Sequence, residues 1–313
     1  MIRIINPAWL SLVVDGGRFG FADVGVPPSS ALDGFACLAL QALLGNPAGS
    51  PAIEVMGFEF SVEARVELSC AITGARVTAT LDGSPLVPWT VFRMKTGSVL
   101  RVSKVVDGFR YYVGFAGTMA IPRAIDSYST NIECKFGGFR GRPLVKGDLL
   151  PMQECRVAKE SSYPEERIPP MGPSHLLRVL DGPESGCFTD DSLRKFCDLA
   201  ENQWYTVSPK SNRIGIRLDG EPLVFREGVE KSIVSEGILP GTIQVPGDGI
   251  PIIQLYERTI GGYARPGLVA RADLDKLAHL RPGDKVLFER ITHDEAAALW
   301  RERGIRIALL DTL

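Results

Sequence analysis

The chain has 313 residues, which at roughly 150 residues per domain is enough for about two domains, each with its own hydrophobic core. Hydrophobic residues make up 45% and charged residues 23% of the chain, and this balance excludes a disordered protein and a small protein held together by disulfides. With 35 Lys and Arg against 37 Asp and Glu, the net charge of −2 gives no preference for nucleic acid or an acidic membrane surface.

Hydropathy and cysteine spacing point to the cytoplasm. No stretch approaches the roughly 18 to 20 apolar residues of a membrane-spanning helix, and the first residues lack the small-residue cleavage site of a secretory signal. The six cysteines never have the two-residue spacing of a zinc or redox motif. We therefore expect a cytoplasmic protein with reduced thiols and no membrane contact.

In the first half, one helix stands before a series of strands. Ser30 and Asp33 have capping-box spacing, the run 35–44 is apolar, and Gly45 suits a helix C-cap. Short β-prone runs follow between residues 64 and 117, separated by turn dipeptides such as Asp82-Gly83. This alternation is typical of a sandwich or a small barrel.

The segment 151–173 is polar and carries five prolines, so it predicts a linker. Beyond it the pattern predicts further strands, a helix from about Thr189 and a last helix that begins at a second capping box, Thr292–Glu295. We expect a mainly β chain with few short helices, built as two β-barrel or sandwich domains over residues 1–160 and 172–313.

Several standard catalytic signatures are missing from the sequence. It has no phosphate-binding GxxxxGK[ST] loop, no GxGxxG after a strand, no HExxH and no GxSxG. Of the three histidines, His279 and His293 are expected at the surface, and His175 follows the linker. A histidine-based triad or metal site is therefore not expected, and Lys95 lies in an ordinary strand pattern rather than in a biotinyl-lysine hairpin.

Two clusters of glycine with cations or small polar residues lie in the first half. The segments 15–20 and 25–30 lead into the first helix and suit either an anion cradle or a simple turn and cap. In the second cluster, glycines let the backbone approach a ligand and cations offset its charge, which favours a binding site over a plain loop. Its candidate binding residues are Thr130, Asn131, Gly137, Gly138 and Arg142.

A third cluster lies in the second half, in segments 211–215, 241–249 and 259–265. Strand ends that present polar side chains beside paired glycines are similar to the mouth of a barrel, although hairpin turns around a packed barrel would give the same pattern. The candidate catalytic residues here are Arg213, Arg265 and Tyr263, and the candidate substrate- or nucleotide-binding residues are Gln244, Gly261 and Gly262.

Taken together, these segments resemble the family of biotin-dependent carboxyltransferase subunits, which includes allophanate hydrolase subunit 2, the C subunit of 5-oxoprolinase and the antagonist of the Kip kinase-inhibitor pair. The matching phrases run nearly from end to end of the chain. They include VVDGGRFGFADVGVPPSSALD, FGGFRGRPLVKGD, RVLDGPESGCF, SNRIGIRLDG, SEGILPGTIQVPGDGIPI and ADLDKLAHLRPGD.

The resemblance implies two β-rich domains, the second like a cyclophilin barrel, and a chain that works with a sister subunit. It implies one of three roles: part of the ATP-dependent opening of 5-oxoproline, the carboxyltransferase part of urea carboxylase, or regulation of a sensor kinase. Where the family usually has Asp-x-Gln-Thr-Thr-Gly-Gly-Tyr-Pro-Lys, this chain has the shorter segment 257–265 ending in Arg265. Arginine keeps the charge but does not readily release a proton.

The leading hypothesis is a subunit of an ATP-dependent amidohydrolase complex that acts on 5-oxoproline or a similar small lactam or amide. Arg142, Arg213 and Arg265 would hold anionic groups, and Arg213→Ala would abolish activity while leaving the fold intact. ATP with Mg²⁺ would be the nucleotide, and biotin would not be attached to this chain.

The expected partners are a sister subunit of the Kip inhibitor type and a lactam-utilisation-type hydrolase subunit, with a homo-oligomer left open. The alternatives are a carboxyltransferase subunit of a urea-carboxylase-like enzyme and a non-catalytic partner of the Kip type.

Overall fold

The computed structural model describes residues 1–200 and 203–312. The helices are α1 (Gly34–Leu44), α2 (Asp190–Cys197) and α3 (His293–Ala308), with 3-10 helices at Ala22–Val24, Glu165–Arg167, Ser185–Cys187, Arg271–His279 and Leu309–Thr312. None of the described helices is long and apolar enough to span a membrane.

The strands of the first half are β1 (Ile2–Asn6), β2 (Leu10–Val14), β3 (Ala52–Met56), β4 (Phe60–Ala64), β5 (Leu68–Leu81), β6 (Ser84–Leu86), β7 (Val91–Met94), β8 (Val99–Phe115), β9 (Thr118–Met119), β10 (Leu149–Leu150) and β11 (Met152–Gln153). Those of the second half are β12 (Ser174–Asp181), β13 (Tyr205–Val207), β14 (Gly215–Asp219), β15 (Ser232–Gly237), β16 (Thr242–Val245), β17 (Ile252–Gln254), β18 (Ile260–Val269) and β19 (Lys285–Arg290). The expected mainly β architecture with few helices is confirmed.

The chain divides into two compact units. Unit 1 comprises Met1–Arg18, Ser29–Met171 and the C-terminal residues from Ile305, and unit 2 comprises Phe19–Pro28 and Gly172–Gly304. The division expected from the sequence, 1–160 and 172–313, treats both parts as continuous. In the structure the C-terminal residues belong to unit 1 because Leu310 is buried in the hydrophobic cluster around α1.

Unit 1 is built on the long antiparallel pair β5 and β8, which carries β6 and β7 on one side and β3 and β4 on the other. The β-prone runs at residues 64–72 and 75–81 predict two strands where the structure has β5, and the runs at 98–106 and 109–117 predict two where it has β8. Gly74 looks like a turn residue, but it lies at a shift in the β5–β8 register, so it bends a continuous strand rather than ending it.

Helix α1 covers one face of this sheet and is capped by its own sequence. The Asp33 side chain accepts a hydrogen bond from the Ala36 amide at 2.8 Å, and Gly45 closes the helix in the left-handed conformation. The helix is predicted correctly, but its N-cap is Asp33 and not Ser30. Leu40 and Leu44 pack directly on Gly114 of β8, where a Cβ atom would collide with both.

Unit 2 is a closed barrel of the strands β12, β19, β13, β14, β17, β16 and β18. Closure follows because β12 pairs in parallel with β19 on one side and antiparallel with β18 on the other. Strand β15 lies outside the ring and pairs with the first residues of β18. Among the strands that the structure describes, the barrel therefore leaves no free edge except at this added two-stranded ribbon.

The two faces of the barrel strands differ in polarity. Ile216, Ile253 and Ile243 are paired across β14, β17 and β16 and are almost fully buried, so this face fills the barrel interior. Their neighbours along each strand, including Arg217 and Gln244, lie on the opposite, outer face. The alternation thus places Arg217 and Gln244 on the outer face of the barrel, with Ile252 between them.

The histidine expectations are partly wrong. His293 is exposed as expected, but His279 is buried because its 3-10 helix packs into unit 2. His175 is buried beside Asp284, with 3.3 Å between Nε2 and Oδ2. Burial lowers the pKa of His175, and this effect outweighs the hydrogen bond to Asp284.

The buried His175 predicts an acid-sensitive stability. Because its folded-state pKa lies below the ordinary value, its contribution is complete above a pH of about 6.5 and declines as the pH falls from there toward the lowered pKa. The melting temperature of the wild type, measured from pH 8 to 5.5, should fall more steeply than that of His175→Gln. The exposed control His293→Gln should follow the wild type, and parallel curves for wild type and His175→Gln would contradict the assignment.

Candidate functional site

A cleft of about 310 Å³ lies on the outer face of the unit 2 barrel. Its walls come from strands β14, β16 and β17 and from the start of β18. The lining residues are Asn212, Ile214, Gly215, Arg217, Gln244, Ile252, Gln254, Arg258, Ile260, Gly261, Gly262 and Tyr263. The sequence pattern predicts a site at the mouth of the barrel. The cleft, which we call the barrel cleft, lies instead on the outer face of the barrel sheet.

The floor of the barrel cleft is a row of three residues on adjacent strands. Ile252 of β17 is the register partner of both Arg217 on β14 and Gln244 on β16. Directly paired residues lie on the same face of a sheet, and adjacent strands are about 4.8 Å apart, so the backbones of Arg217 and Gln244 are about 10 Å apart. A cation and a carboxamide thus flank an aliphatic side chain.

Gln244 is the unusual member of the row. It is 3% exposed, and its Nε2 has no hydrogen-bond acceptor among the residues that the structure describes. The register between β16 and β18 shifts at Gln244, and such bulges redirect a side chain. Buried donors nearly always find a partner, so this Nε2, which is fully covered and lies against Gly261, is an exception among the described residues.

Gly261 allows this position of Gln244. A Cβ atom at Gly261 would overlap the Gln244 carboxamide, so a larger residue would push the amide aside. Gly262 has a Cβ position 3.1 Å from the Ser235 hydroxyl of β15, which leaves little room there either. The glycine pair predicted for the site therefore lies in the wall of the cleft.

Two cationic side chains that the sequence analysis did not single out, Arg217 and Arg258, line the barrel cleft. Arg217 is exposed and makes no ion pair with any described residue, and Arg258 also lines the cleft. Tyr263, 43% exposed, also lines the cleft. The described lining residues include no carboxylate and no imidazole. These side chains can bind and orient an anionic or amide-containing molecule, but they supply no general base of the usual kind.

Arg213 does not line the barrel cleft. Its side chain is buried against Glu257, with Nε and Nη2 at 3.3 and 3.2 Å from Oε1. Both side chains are only 5% exposed, so the charge of Arg213 is already balanced inside the protein. Its neighbours Asn212 and Ile214 line the cleft, which makes Arg213 a support for that wall.

Arg265 is also held by carboxylates. Glu184 accepts two hydrogen bonds from its guanidinium group, at 2.6 and 2.7 Å, and Glu236 of β15 accepts one at 2.8 Å. The hydrogen bonds from Arg265 lower the pKa of Glu184. Arg265 thus ties the base of the β15–β18 ribbon to the barrel, and it is absent from the cleft lining.

The predicted binding residues of unit 1 are buried in a network of internal hydrogen bonds. Thr130 Oγ1 donates to the Val13 carbonyl at 2.8 Å, and Asn131 Nδ2 donates to the Ser29 hydroxyl at 3.0 Å. Gly137 and Gly138 have positive φ angles, and a Cβ atom on either would collide with the segment 129–130. The glycines are needed for close packing of this loop, and the structure does not bring these residues to the barrel cleft.

The first glycine cluster supports the same loop. The Asp15 carboxylate accepts hydrogen bonds from the hydroxyls of Ser127 and Ser129 at 2.6 and 2.8 Å and from the Tyr128 amide at 2.7 Å. Arg18 is almost fully buried and donates to the carbonyls of Ser129 and Ala124. Asp15 and Arg18 therefore fix the loop that carries Thr130 and Asn131.

Arg142 is paired within its own turn. Its two terminal nitrogens each lie 2.8 Å from one carboxylate oxygen of Asp148. Burial raises the pKa of Asp148, but the hydrogen bonds from Arg142 and the Val145 amide outweigh it and lower the pKa overall. Within residues 1–200 and 203–312 no group of three or more His, Cys, Asp or Glu is arranged to hold a metal ion.

The chain matches the model of the carboxyltransferase domain, subdomain A and B, over residues 24–290. It therefore belongs to the carboxyltransferase domain family. The match spans both units, so the barrel cleft and the loop held by Asp15 both lie in the family region.

The particular relatives are enzyme subunits and parts of larger enzymes. The chain is 33% identical to the C subunit of 5-oxoprolinase from Escherichia coli over 95% of its own length and 93% of the relative's. It is 31% identical to the corresponding 5-oxoprolinase subunit of Haemophilus influenzae, over 97% and 96% of the two chains. The crystal structure of the K. lactis urea amidolyase matches with a TM-score of 0.92 at 25% identity, over 99% of this chain and 20% of that one.

Because Arg213 is paired with the buried Glu257, we expect its replacement to destabilise the fold, whereas the sequence analysis expects the fold to stay intact. Arg213→Ala should lower the free energy of unfolding by about 3 to 5 kcal/mol, because it removes the guanidinium that pairs with the buried Glu257 carboxylate. Arg217→Ala should change it by less than about 0.5 kcal/mol, because the side chain is exposed. Urea denaturation measures both. Equal stability of Arg213→Ala and wild type would show that Arg213 has no supporting role.

Proposed function

We propose that this chain is a subunit of an ATP-dependent amidohydrolase complex that acts on 5-oxoproline or a similar small lactam. The single observation that carries the proposal is the end-to-end likeness to the two 5-oxoprolinase subunits, which this chain matches over more than nine-tenths of both lengths. The barrel cleft supports it, since carboxamides and guanidinium groups bind amides and carboxylates.

In this proposal the barrel cleft binds and polarises the substrate. Gln244 and Tyr263 contact it, the backbone of Gly261 and Gly262 limits the space, and Arg217 and Arg258 stabilise negative charge that develops when ATP activates the lactam carbonyl. Arg213 and Arg265, which the sequence pattern suggests for this role, instead hold the cleft walls through their carboxylate partners.

In this proposal a partner subunit supplies the general base. Because its described lining has no carboxylate or imidazole, the base that activates water for ring opening is assigned to another chain. We assign it to a lactam-utilisation-type hydrolase subunit, with a sister carboxyltransferase-like subunit of the Kip inhibitor type bound to this chain. We assign ATP with Mg²⁺ to the complex as a whole. We assign a structural role to the loop that contains Thr130, Asn131, Gly137, Gly138 and Arg142.

A second candidate function is the carboxyltransferase part of a urea-carboxylase-like enzyme. The match to the K. lactis urea amidolyase, with a TM-score of 0.92 over 99% of this chain, favours it. In that case the barrel cleft would receive a carboxylated biotin from a separate carrier chain. A non-catalytic role of the Kip type is the third candidate, which the shortened segment 257–265 keeps open.

The test is ATP hydrolysis by the chain co-purified with its native partner subunits. The proposal predicts that 5-oxoproline, and not urea, stimulates hydrolysis and that glutamate appears in equal amount. Turnover that needs urea, bicarbonate and a biotinylated carrier would favour the second function. An intact complex that is silent with every substrate would contradict both enzymatic functions and leave the regulatory one.

A further inference from the structure

The segment that the sequence predicts as a linker is anchored to unit 1 over residues 162–171. The Tyr163 amide donates to the Trp89 carbonyl at 2.8 Å, and Ser162 forms an isolated antiparallel bridge with Thr90. At the other end, Met171 is 5% exposed and belongs to the hydrophobic core of this unit. Between these anchors the segment forms one wall of a pocket of about 570 Å³, which we call the unit 1 pocket because all its lining residues belong to that unit.

Three departures from regular backbone geometry meet at the unit 1 pocket. The β5–β8 register shifts on both sides of Arg76, and Gly74 beside the shift has a φ of +83°. Trp89 has a φ of +62°, a left-handed conformation that bulky residues rarely adopt. Its amide donates to the Ile72 carbonyl at 2.7 Å and its indole N–H donates to the Gly74 carbonyl at 3.3 Å, so the fold holds it there. Bulges and disfavoured backbone conformations concentrate at functional sites.

The walls of the unit 1 pocket are apolar and poor in hydrogen-bond donors. Four of its fifteen described lining residues are prolines, which have no backbone N–H: Pro88, Pro164, Pro169 and Pro170. Val87 and Ile168 add aliphatic surface. Two side-chain donors in the lining are already used, because the Thr90 hydroxyl donates to the Val87 carbonyl at 2.6 Å and the Trp89 indole donates to Gly74. The pocket therefore offers a ligand mainly apolar contact and acceptors.

The charged lining residues favour a cation. They are Arg76, Asp107 and Glu165, which is two carboxylates against one guanidinium. Arg76 Nη2 lies 3.5 Å from Glu165 Oε1, and both side chains are well exposed, so this ion pair is weak. Asp107 is the register partner of Arg76 on β8, but it makes no ion pair with any described residue, and its Oδ1 accepts a hydrogen bond from the Gly108 amide at 3.1 Å. The partly buried Asp107 carboxylate is thus the acceptor best placed for a positively charged group.

We propose that the unit 1 pocket binds a small organic amine, whose apolar part contacts the proline wall and whose ammonium group donates to Asp107. Charge-assisted hydrogen bonds of this kind are stronger than those between neutral groups. The pocket volume lies within the range of roughly 300 to 1,000 Å³ that is usual for small-molecule sites. None of the lining residues also lines the barrel cleft, so this binding goes beyond the proposed function.

The test compares three probes that share a phenyl body and differ in the head group. They are 2-phenylethylamine, 2-phenylethanol and 3-phenylpropanoate. The readout is the indole N–H resonance of Trp89 in the ¹⁵N-labelled full-length chain, assigned by elimination with variants of the three exposed tryptophans, Trp9→Phe, Trp204→Phe and Trp300→Phe. The amine should shift this resonance saturably and bind about tenfold more tightly than the alcohol, and the carboxylate should bind more weakly than the alcohol.

Two substitutions in the unit 1 pocket should act in opposite directions. Asp107→Asn keeps an oxygen that can accept from the Gly108 amide but removes the charge, so it should weaken the amine about tenfold and leave the alcohol unchanged. Arg76→Gln removes the neighbouring positive charge and should strengthen amine binding about two- to fivefold. Damage to the fold would instead weaken the amine and the alcohol together. The matched control Asp126→Asn, an exposed change outside the pocket, should bind every probe as the wild type does.

Selective and saturable amine binding, weakened in Asp107→Asn and present both in the chain and in its complex with the sister subunit, would support the inference. It fails if the amine does not bind, if the three probes bind alike, if Asp107→Asn binds the amine as the wild type does, or if Arg76→Gln weakens it. It also fails if the complex no longer binds the amine, because the pocket would then be part of a subunit interface. None of these outcomes depends on ATP turnover, so they are distinct from a failure of the proposed function.

Discussion

Closure of the unit 2 barrel is the constraint on which the candidate site depends. Because β12 pairs with both β19 and β18, the apolar faces of the strands must turn inward and fill the ring. The alternate residues of β14, β16 and β17 are then forced outward, and the row Arg217–Ile252–Gln244 results from two register pairings rather than from any loop. A site on paired strands is held more rigidly than one on loops.

Charge balance separates the residues that hold the structure from those available to a ligand. The guanidinium groups of Arg213, Arg265 and Arg142 are each matched by one or two carboxylates of the same chain. Binding an anion at these positions would compete with partners that are already in place. Arg217 differs because it is exposed and makes no ion pair with a described residue, and it lies in the floor of the cleft.

Much of the fold could be predicted because its signals are local. The C-cap of α1 at Gly45, the N-caps of α2 and α3 and the Asp82-Gly83 hairpin turn are readable within a few residues, and the structure contains them, whereas the N-cap of α1 is Asp33 instead of the predicted Ser30. The site could be predicted only in part. Glycine crowding pointed to Gln244, Gly261, Gly262 and Tyr263, which do line one cleft, but the partners that neutralise Arg213 and Arg265 lie 44 and 81 residues away. The signal that would have found Arg217 is the alternation of inward and outward side chains along β14, because this strand continues past the end of the glycine-containing segment 211–215.

The most direct test of the account is nuclear magnetic resonance of the side-chain amide groups as 5-oxoproline is added to the ¹⁵N-labelled protein. The account predicts that the Nε2 resonances of Gln244 shift and saturate with the ligand, together with the backbone amides of Gly261 and Gly262. Shifts confined to the unit 1 loop around Thr130 and Asn131, with Gln244 unchanged, would contradict the claim that the outer face of the barrel is the ligand site.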